Sequence, residues 1–155
     1  MFLNSIASCI LNLYGKKQLL KKDKTLFEQI LSGDLPGYIP FQTEKSAVII
    51  SLEGHPLVIS KEPYQNIYEL PDDVAADIMQ VAVRVAKAVK NVTKCEGVNL
   101  VQSNGPIAGQ DVFHFHLHIK PRFIDDSTHL SWNTHTKPDK ERAELSEKLV
   151  HLLQE

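Results

Sequence analysis

The sequence predicts an α+β domain built on a five-stranded antiparallel sheet, with one long helix and shorter helices toward its ends. Three observations carry this. Apolar residues repeat at helical spacing between Pro71 and Gly97. From Phe113 to Ile119, histidines and apolar residues alternate with the period of a strand. The other predicted elements are short apolar runs separated by turn residues, in the order helix, three strands, helix, two strands, helix.

Each element has its own justification. Thr25 to Leu31 reads as a short helix with Phe27, Ile30 and Leu31 inward, broken by Gly33-Asp34-Leu35-Pro36-Gly37. Tyr38 to Thr43 and Ala47 to Leu52 read as strands around a polar Glu44-Lys45-Ser46 turn, and Pro56 to Ser60 as a third strand after the turn at Gly54. Pro71, Asp72 and Asp73 open the long helix, where acids suit the positive end of the dipole. Val74, Ile78, Val81, Val85, Ala88 and Val92 form its expected buried stripe. Val98 to Gln102 and Val112 to Lys120 complete the sheet, joined by a loop that opens with Ser103-Asn104-Gly105-Pro106. Pro138 starts a last helix whose apolar side is Ala143, Leu145, Leu149, Leu152 and Leu153.

The chain has 155 residues, 43% hydrophobic and 23% charged, which fits one soluble domain with a real core. Seventeen basic against nineteen acidic residues argue against a nucleic-acid surface, which needs clustered Lys and Arg. Cys9 and Cys95 lack metal or redox spacing and read as reduced thiols of a cytoplasmic protein. Residues 1–23 read as an N-terminal extension and 24–155 as the domain. In the extension, Phe2, Leu3, Ile6, Cys9, Ile10 and Leu13 fall at helical spacing. Lys16, Lys17, Lys21 and Lys22 follow that run, whereas a secretory signal carries its charge in front. The run is too short to span a bilayer, so an amphipathic segment packing on the body or a neighbour is expected, without stable membrane association.

The long helix also carries Ala75, Ala76, Ala82, Val83, Ala86 and Val89, more apolar surface than one core face needs. Pairing of two copies through this helix and the strand at 98–102 would bury it, so a homodimer is expected. The competing reading is a monomer in which the extension covers the same patch.

The informative segment is Phe113-His114-Phe115-His116-Leu117-His118-Ile119. Alternation puts the histidines on one face, about 6.6–6.8 Å apart, and the apolar residues on the other. Three imidazoles in a row serve poorly as core. They could be solvent-facing structural residues, a metal site, or catalysts on a phosphate. On spacing alone the last two rank level. The preceding loop, Ser103 to Val112, breaks the tie, because glycine-bearing loops of this kind bring backbone amides close to a phosphate.

Gly109-Gln110-Asp111-Val112 followed by the triplet and Ile119-Lys120-Pro121-Arg122 resembles the signature of the histidine-triad (HIT) family. Gly54 to Lys61 is similar to the family's Gly-His strand, and Leu26 to Pro36 to its opening helix. The likeness spans Thr25 to Phe123 and implies the HIT-like fold. It also implies a purine nucleotide conjugate (a phosphoramidate, adenylate or dinucleoside polyphosphate) bound by its α-phosphate, with a nucleotidyl-histidine intermediate. By this resemblance His116 is the nucleophile and His118 assists the leaving group. His114 and His55 hold the nucleophile's ring in its tautomer. Gln110 and the amides of Asp111 and Val112 cradle the phosphate. A histidine at 118, rather than glutamine, favours the hydrolase branches over the sugar-1-phosphate uridylyltransferase branch.

Three departures matter. Thr25 and Glu28 stand where many members have zinc-binding cysteines, so no bound metal and no cofactor are expected. Ser103 replaces the usual Asn or Gln, with Asn104 as the substitute contact. The ribose-gripping aspartate is missing, with Glu53 as its stand-in. A nucleotide phosphohydrolase or nucleotidyl transferase acting on a small-molecule nucleotide is thus expected, with the hydrolase branches favoured. A nucleotide-binding regulatory protein with residual activity and a metal-binding protein remain the alternatives.

Overall fold

A computed structural model describes residues 24–128 and 135–154. The amphipathic reading of residues 1–23 lies outside the described residues. The chain divides after Asp125 into two compact units, each described by itself.

Among the described residues, the first element of the first unit is helix α1, Leu26–Leu31. Thr25 caps it: its hydroxyl accepts from the Glu28 amide at 3.2 Å while the Glu28 carboxylate accepts from the Thr25 amide at 2.6 Å. Strands β1 (Phe41–Gln42), β2 (Ser46–Ile50) and β3 (Pro56–Ser60) follow. The β1 run is shorter than the predicted 38–43, and Pro40, which has no N–H to donate, stands immediately before it. The β1–β2 turn is tied down from above, where Thr43 and Ser46 hydroxyls both donate to Asp77 at 2.8 and 2.6 Å.

Helix α2 spans Asp72–Thr93, entered at Pro71 and closed by Lys94 in the left-handed conformation. Its buried face is Val74, Ile78, Val81, Ala82 and Val89. The predicted stripe holds as far as Val85. Beyond it Ala88 is exposed, and Val92, in the last turn, is 82% exposed. Strands β4 (Gly97–Val101) and β5 (His116–Arg122) complete a sheet of order β1-β2-β3-β5-β4 in which every pairing is antiparallel.

Alternation along the strands divides the core in two. Val48, Val58, Phe115, Leu117 and Ile119 pack with the α2 stripe. Ala47, Ile49, Leu57 and Ile59 pack with Phe27 and its α1 neighbours on the opposite face. In register, Ile59 lies opposite His116 and Leu57 opposite His118. The histidines therefore share the face that α1 partly covers.

Strand β5 begins at His116, not at Val112 as the alternation implied. β3 pairs only with residues 116–118 of this segment, so residues 112–115 run outside the ladder. Phe115 stays in the core, its amide donating to the Tyr64 carbonyl at 2.6 Å, whereas Phe113 is 48% exposed. At the other end β5 extends through Pro121, which pairs with β4 beyond the reach of β3.

The second unit holds helix α3, Asp139–Leu153, entered at Pro138. None of its side chains is buried, so the predicted apolar side, Leu145, Leu149, Leu152 and Leu153, is exposed. No helix among the described residues is long and apolar enough to cross a membrane.

Candidate active site

The four predicted histidines come together around the start of β5. His116 and His118 stand on the strand, and His114 on the bend before it. His55 arrives from the turn between β2 and β3. There Ser51 and His55 pair back to back (Ser51 N to His55 O, 2.9 Å), and Gly54 takes φ +84°, a conformation that favours glycine.

Two of the rings are anchored to backbone. His116 Nδ1 lies 2.7 Å from the carbonyl oxygen of His114. A carbonyl only accepts, so Nδ1 carries a proton, and in the neutral ring Nε2 is the nitrogen with the lone pair. His114 Nε2 likewise donates to the Ser60 carbonyl at 2.8 Å, leaving Nδ1 to accept from the Thr25 hydroxyl at 2.7 Å. His114 is completely buried. Burial lowers its pKa, opposed by the Ser60 hydrogen bond and Glu28. Phe27 sets its ring edge-on to both imidazoles, with centroids 5.4 Å from His114 and 5.3 Å from His116. The tautomer of His116 is thus set by the backbone of His114, not by the side chains of His114 and His55.

The other two rings are anchored to side chains. His55 Nε2 and His118 Nδ1 are 2.8 Å apart, so one carries the proton between them. His55 Nδ1 faces the Ser51 hydroxyl at 3.2 Å and the Glu53 carboxylate at 3.4 Å. Lys120, next on the histidine face of β5, donates to the same Glu53 oxygen at 3.0 Å. Burial first, and then the neighbouring His116, His55 and Lys120, which disfavour a further positive charge beside them, push His118 down to about 4. Burial and Lys120 lower His55, and the Lys120 hydrogen bond lowers Glu53. His116 and His118 rings stand 5.1 Å apart, near enough to act on one phosphate.

The loop residues play unequal parts. Gln110 is buried, and its side chain holds the loop closed. Its oxygen accepts from the Gly105 amide at 2.7 Å, and its nitrogen donates to the carbonyls of Gln65 (2.6 Å) and Val112 (3.1 Å). Asn104 is engaged by the Ile67 amide at 2.8 Å and by Gln102. The amides of Asp111 and Val112 and the hydroxyl of Ser103 make no hydrogen bond among the described residues. Among those residues no three His, Cys, Asp or Glu side chains are grouped to hold a metal ion. Thr25, Phe27, Ser60 and Ser51 were not singled out as site residues from sequence. Lys120 carried a signal, since the alternation that groups the histidines extends to it.

Comparison with known proteins identifies the family. Residues 46–125 match the model of the HIT domain. The chain is 32% identical to "Protein hit" of Bacillus subtilis over 73% of this chain and 81% of that protein. It is 31% identical to adenosine 5'-monophosphoramidase HNT1 of Candida albicans, over 80% and 88% of the two chains. The crystal structure of a HIT family protein from Bacillus anthracis superimposes with a TM-score of 0.79 at 29% identity, covering 83% of this chain and 96% of that one. With the histidine cluster, the sheet order and these matches in hand, the chain belongs to the histidine-triad family.

Proposed function

We propose that the chain is a nucleoside phosphoramidase-type hydrolase acting at the α-phosphate of a purine nucleotide conjugate. The observation that carries this reading is the 2.7 Å hydrogen bond from His116 Nδ1 to the His114 carbonyl, which in the neutral ring makes Nε2 the nucleophilic nitrogen. The Candida albicans relative, a named phosphoramidase, supports the substrate class.

In the first half-reaction a P–N bond forms from His116 Nε2 as the bond from phosphorus to the leaving amine breaks. The amine nitrogen takes a proton from Nε2 of protonated His118, which becomes neutral. In the second, a water oxygen bonds phosphorus, the bond to His116 breaks, and the water's proton goes to His118. The low pKa of His118 makes it neutral in the unliganded site near neutral pH. An anionic phosphate beside it favours the charged form, so the proton comes with the substrate. The amides of Asp111 and Val112 and the Ser103 hydroxyl receive the phosphate oxygens in this reading, with Gln110 shaping the loop. Brief reaction with α-phosphate-labelled adenosine phosphoramidate, followed by denaturing quench, tests it. Label is expected on His116, and His116→Ala is expected to lose label and turnover while keeping its circular dichroism. Wild-type turnover in the mutant contradicts the reading.

We also propose a cytoplasmic homodimer. Met79 and Val83 on α2 and Leu100 on the edge strand β4 are exposed apolar residues, and pairing would cover them. Sedimentation equilibrium is expected to give twice the chain mass; 17.5 kDa throughout rejects the dimer.

A further inference from the structure

The turn that delivers His55 also carries a carboxylate for which the proposed reaction has no role. Glu53 lies 3.4 Å from His55 Nδ1, and the contact runs inward, from a carboxylate 42% exposed to an imidazole 7% exposed. His55 Nε2 then meets His118 Nδ1 at 2.8 Å. Glu53, His55 and His118 therefore form a line from the surface to the group that exchanges protons. The groups facing that line are Lys120 on Glu53, Ser51 on His55 and His116 beside His118.

To act as an acid, His118 must carry two protons, one on each ring nitrogen. Its Nδ1 proton needs an acceptor, and His55 Nε2 is the atom in place. That atom accepts only if the proton of His55 sits on Nδ1. Ser51 does not force this, since a hydroxyl donates or accepts. An ionised carboxylate only accepts, and the Lys120 hydrogen bond helps to keep Glu53 ionised. In the opposite tautomer His55 Nε2–H would point at His118 Nδ1, and His118 could not take its second proton.

We propose that Glu53 is a positioning residue for the reaction: it holds the His55 proton on Nδ1, so that His118 can be doubly protonated and release its proton from Nε2. Glu53 stays ionised throughout, and no proton moves onto it. The role differs from the ribose contact expected from sequence, and it rests on the hydrolase reading above.

The experiment uses Glu53→Ala and Glu53→Gln in the full chain. Glu53 lies on an exposed turn, so both are expected to fold. With adenosine phosphoramidate, Glu53→Ala is expected to lower kcat about tenfold, the order of one lost close contact with a charged group. KM should change less than about threefold, and Glu53→Gln, which keeps an accepting oxygen, should recover part of the loss. The ratio of rates for ribose and 2′-deoxyribose substrates should match wild type. A rise in KM with loss of that ratio would make Glu53 a ribose contact and overturn the proposal, as would unchanged kcat. Nitrogen-15 NMR of the unliganded protein adds a reading independent of turnover. His55 should carry its proton on Nδ1 in the wild type and shift toward Nε2 in Glu53→Ala, and a wild-type Nε2 proton overturns the proposal. Absence of label on His116 would instead sink the hydrolase reading and leave the NMR result standing.

Discussion

The two halves of the histidine cluster are held by different kinds of partner. His114 and His116 are anchored to carbonyl oxygens and braced by the Phe27 edge. His55 and His118 are anchored to each other and to Ser51 and Glu53, with Lys120 at the surface end. A carbonyl cannot donate, so the first half has one tautomer available. Side chains can change protonation, so the second half can gain and lose a proton without moving. The difference matches the roles proposed: a nucleophile needs the same lone pair every cycle, whereas an acid and base must alternate.

Acid should separate the halves most strongly. Burial lowers the pKa of His55, His114 and His118, the last from 6.5 to about 4. Below pH 6.5 the unfolded chain binds protons that the folded chain refuses. From these groups, then, stability is lost as pH falls from 6.5 toward about 4 and is insensitive to pH above 6.5. Urea midpoints across that range are expected to fall with pH, and His118→Gln should flatten the slope more than His114→Gln. Equal slopes in wild type and His118→Gln would place the refused proton elsewhere.

A smaller effect is expected from the buried half. Thr25→Val keeps the side-chain volume but removes both the α1 cap and the hydrogen bond to His114 Nδ1. The expected cost is about 1–3 kcal/mol of stability with a few-fold loss of kcat, and Thr25→Ser should restore both. Because the carbonyl anchors remain, the nucleophile should survive. A loss of activity as deep as that of His116→Ala would mean that the hydroxyl, not the backbone, sets the ring.

Much of this was legible in the sequence, for local reasons. Alternation sorted His116 and His118 from Leu117 and Ile119, because pleating makes side chains alternate wherever the chain is a strand. Pro71 and the following acids placed the start of α2. What alternation cannot report is whether a neighbouring strand exists to pair with, so the bend at 112–115 and the exposed Phe113 were not seen. Nor does it report partners distant in the chain: Thr25 meets His114 across 89 residues, and Glu53 meets Lys120 across 67. Gln110 was placed in the phosphate cradle by the family resemblance. Its burial depends on Gln65, which only the folded chain brings near.

The most direct test of the account is the position of one proton. Long-range proton–nitrogen NMR on the unliganded protein near neutral pH distinguishes protonated from bare ring nitrogens. His116 is expected to show a protonated Nδ1, as its hydrogen bond to the His114 carbonyl requires, and a bare Nε2, as the proposed nucleophile requires. A proton on Nε2 with a bare Nδ1 would place two acceptors against each other, remove the nucleophile and contradict the account.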